Sequence, residues 1–186
     1  MLIPLFFSLC LLLEGTTALS LVFSRAHPER RIWPPLAGAR LRWLMPSLFG
    51  ATALGIITLG LLDWGSGRLP SWLLAAGIVL WLSGNGLAVW AWAALGLSKT
   101  MGGRGILTTH GPYRWSRNPQ YVGFILALAG WGVMTSSCST LIASISAWVP
   151  LLLVPHVEEP WLEEIYGEAY RNYRTHAPRW LLWKQS

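Results

Sequence analysis

Residues 71–97 read SWLLAAGIVLWLSGNGLAVWAWAALGL, a run without one charged side chain. As an α-helix it would extend about 40 Å, more than the ~30 Å hydrocarbon core of a bilayer. In lipid only helices and closed barrels satisfy every backbone polar group, and this run lacks the alternating polarity of a barrel strand. It predicts a membrane-spanning helix.

Four further apolar stretches flank it, at about 2–24, 43–62, 119–135 and 140–154. The first two are long enough to span. The last two are shorter and are joined only by Ser136, Ser137, Cys138 and Ser139, which predicts a tight helical hairpin shielded by its neighbours or set in thinned bilayer. Composition agrees, with 53% hydrophobic and 12% charged residues against roughly 25% charged in soluble domains. The fold expected is all-α: a polytopic membrane bundle of about five transmembrane helices with a C-terminal cytoplasmic amphipathic helix. Residues 1–91 would supply the N-terminal helices and 92–186 the core with its C-terminal helix, as one structural unit.

The net charge of +6 is not a nucleic-acid signature here. In a five-span arrangement thirteen of the fourteen basic residues fall on one side, in segments 25–42, 98–118 and the tail from 155, with only Arg68 opposite. Loops rich in Lys and Arg stay in the cytoplasm. The N-terminus is therefore expected outside and the C-terminus inside, in a multi-pass protein of a bacterial inner membrane. Segment 2–24 lacks a basic leader, contains Glu14 and has no small-residue cleavage site, so it is expected to remain as a span. Glu14 would face the bundle interior, where a hydrogen bond to another helix is a sufficient role for it. Cys10 and Cys138 match no metal or redox spacing and are expected as core filler. Ser83, Gly84, Asn85 and Gly86 permit close helix contact.

From Glu158 to His176 the tail places Leu162, Ile165, Tyr166, Ala169, Tyr170 and Tyr173 at spacings of three and four. That stripe predicts an amphipathic helix. Five acidic residues crowd its first half, where the helix dipole alone explains some of them.

Two motifs carry chemistry. The first is Gly111-Pro112-Tyr113-Arg114-Trp115-Ser116-Arg117-Asn118-Pro119-Gln120-Tyr121-Val122-Gly123. Gly-Pro turns the chain and Asn-Pro starts a helix at the membrane surface. Free amides, the dipole and Arg117 suit an anionic group, and Gly123 would let a flat ligand approach the backbone. The second is His156-Val157-Glu158-Glu159-Pro160-Trp161-Leu162, whose paired glutamates suit an ammonium, ribose hydroxyls or a metal. An antiparallel hairpin would bring both motifs to one pocket, complementary to a zwitterionic amino-acid head with a further positive centre.

These residues, with Leu95-Gly96, Gly105-Ile106-Leu107-Thr108-Thr109, Gly167, Tyr170, Tyr173 and Pro178-Arg179-Trp180, resemble the membrane methyltransferases that include isoprenylcysteine carboxyl methyltransferase and the phospholipid methyltransferases. The resemblance covers about 92–183. It implies S-adenosylmethionine bound at the cytoplasmic ends of the last spans, capped by the C-terminal helix, with a lateral opening for a lipophilic substrate from the bilayer. Tyr113, Arg117, Asn118, Pro119, Tyr121 and Gly123 would then form one cofactor-binding wall, and Glu158 and Glu159 the other. Arg117, Tyr121 and His156 would stand at the reaction, and no metal is implied. Asn118 stands where isoprenylcysteine enzymes usually carry histidine, which leaves the acceptor open among a phospholipid amine, an isoprenoid carboxylate and a small apolar thiol or phenol.

Two other classes compete. A membrane reductase of the sterol type would use NAD(P)H and needs basic residues for a 2′-phosphate. A non-enzymatic carrier should show internal repetition and polar residues at mid-membrane. The chain has no clear repeat, and its polar clusters lie at one surface.

Overall fold

The computed structural model describes residues 2–36, 40–67, 70–103 and 105–181. Arg68, Arg104 and Lys184, which entered the charge count, lie outside them. Among the described residues every element is helical: besides two 3-10 turns at Pro28–Arg30 and Gly111–Arg114, these are α1 (Leu2–Ala26), α2 (Leu44–Leu62), α3 (Ser71–Leu95), a short α4 (Leu97–Thr100), α5 (Pro119–Met134), α6 (Cys138–Ser146), α7 (Trp148–Tyr166) and α8 (Glu168–His176). The segments α1, α2, α3 and the combined stretch Cys138–Tyr166 are long and apolar enough to cross a membrane, and Pro119–Met134 is a shorter apolar helix. The protein is a polytopic membrane helix bundle.

The loops gather at two ends. Gly65 N donates to Thr135 O (2.8 Å), and the Ser137 hydroxyl donates to Asp63 (2.5 Å), which joins the α2–α3 loop to the α5–α6 turn. Ser137 also caps α6, accepting from Thr140 N at 3.0 Å. The opposite end holds the segment after α1, the loop before α5 and the end of α7. Exposed tryptophans mark both levels, Trp64 and Trp72 at the first end and Trp43 and Trp115 at the second, as interfacial anchoring requires.

The short α5 lies at the centre. None of its residues is exposed, so it needs no full bilayer span of its own. Its main partner is α3, along a seam of small residues. A Cβ on Gly84 would stand 2.4 Å from Ala127 N and 2.6 Å from Gly123 O, and one on Gly130 would stand 2.3 Å from Trp81 N. Backbone therefore meets backbone, which in lipid maximises dispersion between helices. Gly84→Ala should cost about 1–3 kcal/mol through overpacking. Gly86→Ala, two residues away with nothing within 4 Å, should be neutral or stabilising by up to about 1 kcal/mol. Thermal melting in detergent separates the two.

Three expectations need correction. The last span does not stop at 154: α7 runs through Pro155 and Pro160 to Tyr166. Each proline removes one intrahelical bond, but burial of Val154, Val157 and Glu159 holds the helix on. Gly167, at φ 54, ends it in a conformation that favours glycine. The amphipathic helix is thus α8 alone, and Glu158 and Glu159 are membrane-helix residues and not its N-terminal caps. Cys138 is exposed, while Cys10 is buried as expected. Glu14 does face the interior, beside Ser146 of α6, yet neither carboxyl oxygen meets hydrogen-bond geometry.

Candidate functional site

The start of α5 and the end of α7 converge, in direct contact. Arg117 Nη2 lies 3.0 Å from Glu159 Oε1 and 3.2 Å from Oε2, and Arg117 Nε donates to Oε1 at 3.2 Å. Arg179 grips the same carboxylate from the other side, with Nε 2.9 Å from Oε1 and Nη2 2.7 Å from Oε2. The Arg117 and Glu159 side chains are only 3% and 7% exposed. One carboxylate is thus shared by two guanidinium groups, a geometry that matches the planar fork of arginine. The bonds to Glu159 raise the pKa of Arg179 still further.

This cluster fastens the C-terminal segment to the bundle. Arg117 Nη1 donates to Ala177 O (2.8 Å) and Arg174 O (3.3 Å). Arg117 N donates to Pro178 O (2.9 Å), and the Ser116 hydroxyl donates to Arg179 O (3.0 Å). The Tyr173 hydroxyl closes the set, donating to Tyr113 O at 2.7 Å. The amides expected to receive an anion are largely paired as well. Asn118 N donates to Ser116 Oγ at 3.0 Å, and Tyr121 N to Asn118 O at 3.1 Å.

Beside the cluster lies a cleft between the end of α3, residues 99–103 and 107–108, the start of α5, the end of α7 and α8. Its cavity volume is about 80 Å³, within about 690 Å³ of empty space that includes open solvent. Small-molecule sites run to roughly 300–1,000 Å³, so a nucleoside-sized ligand needs the open part too. Glu158, Arg117, Asn118, Tyr113, Gln120 and Tyr170 are on its wall, with Trp161 and Tyr166. Three buried atoms on that wall have no hydrogen-bond partner: Tyr113 Oη, Gln120 Oε1 and Tyr170 Oη. Burying such groups unpaired costs about 1–3 kcal/mol each, which a polar ligand would relieve. Burial, aided by the charge of Glu158, raises the Tyr113 phenol above its ordinary range, so it stays protonated.

The adjacent glutamates therefore differ. Glu159 is neutralised by two cations. Glu158 Oε1 accepts from two neutral donors, Trp33 Nε1 (2.7 Å) and Tyr121 Oη (2.8 Å), and its Oε2 carries no hydrogen bond among the described residues. The further acids of the tail are at the surface, with Glu163 bonded to Arg174 at 3.0 Å and Glu164 3.9 Å from Arg31.

Other expected site residues fall elsewhere. Gly123 does not open the backbone to a ligand: a Cβ there would lie 2.7 Å from both Ala88 N and Gly84 O, so α3 fills that space. Pro119 is buried at the first turn of α5. His156 is exposed and is not among the cleft residues. Its Nδ1 contacts Leu152 O (3.0 Å) and its Nε2 contacts Arg179 (3.0 Å). Sequence reasoning gave no role to Trp33 or Arg179. Arg179 could have been noticed as a cation following the tail helix; nothing in the Ile32-Trp33-Pro34-Pro35 string marks the indole as a partner of Glu158.

Fold and site together define a polytopic membrane protein with an acid-bearing, aromatic cleft at one end of its last helices. The sequence profile of the phospholipid methyltransferase family matches residues 72–169, just over half the chain, and the protein belongs to that family. It is 32% identical over 65 residues to a methanethiol S-methyltransferase of Pseudomonas deceptionensis, covering 35% of this chain and 24% of that one. It is 34% identical over 74 residues to a protein-S-isoprenylcysteine O-methyltransferase of Schizosaccharomyces pombe, covering 39% of this chain and 31% of that one. The matched stretches thus span less than a third of either relative. No solved structure matches.

Proposed function

We propose that the protein is a membrane methyltransferase that takes its methyl group from S-adenosylmethionine and acts on a lipophilic acceptor reached through the bilayer, at the cytoplasmic face. The observation that carries this reading is the cleft where the 111–123 motif meets Glu158, with its unpaired phenols and amide oxygen. Family membership and the two S- and O-methyltransferases among the relatives support it. The cytoplasmic assignment rests on the basic loops, which belong to the same end of the bundle as the cleft.

The lining residues fit the cofactor in kind. Glu158, which has no counter-ion among the described residues, suits an ammonium or sulfonium, Tyr113, Tyr170 and Gln120 offer polar atoms for ribose or adenine, and Trp161 and Tyr166 offer aromatic rings to a purine. The cofactor, when bound, supplies an activated methyl group for in-line displacement. The residues of this chain then have to bind, orient and exclude water; no protein nucleophile is required. Tyr121 holds Glu158, while Arg117 and Glu159 hold the wall and the C-terminal segment in place. A nicotinamide reductase is less well served, because Arg117 and Arg179 are both committed to Glu159. Among the described cleft residues that leaves Lys99, itself bonded to Ile106 O at 3.0 Å and to the Thr108 hydroxyl.

Membranes containing the protein, incubated with methyl-labelled S-adenosylmethionine, should incorporate label into a lipid fraction that mass spectrometry identifies. Labelling no greater than in control membranes would reject the activity.

A further inference from the structure

Glu158 is steadied by a side chain 125 positions away in sequence, in a part of the chain outside the family match at 72–169. We propose that Trp33 is a positioning residue for ligand capture: by donating to Oε1 it fixes the Glu158 carboxyl group at the cleft, with no cationic partner beside it and Oε2 left for the ligand. This rests on the reading of the cleft as an S-adenosylmethionine site.

Three features support it. First, Trp33 is itself immobilised. It is 5% exposed and packs with Leu21, Met45 and Val154. The Ser24 hydroxyl accepts from Ile32 N (3.0 Å) and Trp33 N (3.2 Å), which pins the loop to the end of α1. Second, the same loop reaches the cleft from another side. A Cβ on Gly102, a cleft residue, would stand 2.5 Å from Pro35 Cδ and 3.4 Å from the Trp33 ring. Third, the chemistry of the donor matters. An indole N–H can donate but cannot accept, and it carries no charge. It therefore orients a carboxylate without cancelling it, unlike the two arginines on Glu159, and does not compete as a cation with a cationic ligand for the carboxylate.

The test is a double-mutant cycle on the full-length chain in detergent, with S-adenosylmethionine titrated by calorimetry and folding followed by thermal melting. Trp33→Phe keeps an aromatic ring and removes the donor. It should weaken binding about 10- to 100-fold, the range for losing a hydrogen bond to a charged group. In a Glu158→Gln background, itself weakened but titratable, the same substitution should add less than about twofold, because the two residues act as one unit. Unchanged affinity in Trp33→Phe, or a loss that simply adds to that of Glu158→Gln, overturns the positioning role while leaving the cleft assignment standing. Wild type and Glu158→Gln binding equally, or neither binding, overturns the cleft assignment and this inference with it. If Trp33→Phe does not fold, Ser24→Ala loosens the loop that carries the indole. It should weaken binding several-fold, and again only where Glu158 is present.

Discussion

Glu158→Ala should weaken S-adenosylmethionine binding by at least about a hundredfold while the protein still folds. Removing one partner of a desolvated charged contact costs roughly 2–5 kcal/mol, and a hundredfold is about 2.7 kcal/mol. The fold should survive because Glu158 forms no ion pair within the protein. Its loss strands only the neutral donors Trp33 Nε1 and Tyr121 Oη. Calorimetry in detergent gives the affinity and a melting curve gives the stability. Unchanged affinity would remove Glu158 from the site.

Its neighbour should behave in the opposite way. Glu159→Ala leaves the guanidinium of Arg117, 3% exposed, without its counter-ion, and it also takes the counter-ion from Arg179. Breaking a buried pair from one side costs about 3–5 kcal/mol. For a chain of this length that lowers the melting temperature by about 6–20 °C, a large share of a marginal stability. The Arg179 contact, at 25% exposure, contributes less because water screens it. Binding by whatever fraction remains folded should fall far less than in the Glu158 variant. A Glu159→Ala protein with normal melting and no cofactor affinity would reverse the roles of the two acids.

Much of the bundle was legible from length and hydropathy alone. The predicted 2–24, 43–62, 71–97 and 119–135 fall within two residues of Leu2–Ala26, Leu44–Leu62, Ser71–Leu95 and Pro119–Met134. The last span was cut short because the apolar run ends at 154, before His156, Glu158 and Glu159, whereas tertiary burial carries the helix on through Pro155 and Pro160. The apolar stripe from Leu162 to Tyr173 spans the Gly167 break, so two helices looked like one. At the site, the convergence of the two motifs followed from hairpin topology. What periodicity could not convey was pairing. Arg117 was assigned to a ligand, but the protein's own Glu159 takes it, and that choice depends on ångström-scale placement and on Arg179, twenty residues further along. Gly123 shows the same limit, since a residue type that admits a ligand equally admits a neighbouring helix.

The arginine clamp also has a consequence for biogenesis. Arg117 enters the bundle at the start of α5, yet its acceptors at Arg174 and Ala177 and its fellow cation Arg179 are made some sixty residues later. A nascent chain halted short of residue 174 therefore has Glu159 for Arg117 but neither of those two carbonyls. The cleft, whose wall includes Tyr170 and Tyr173, can take its final form only after translation has passed the tail.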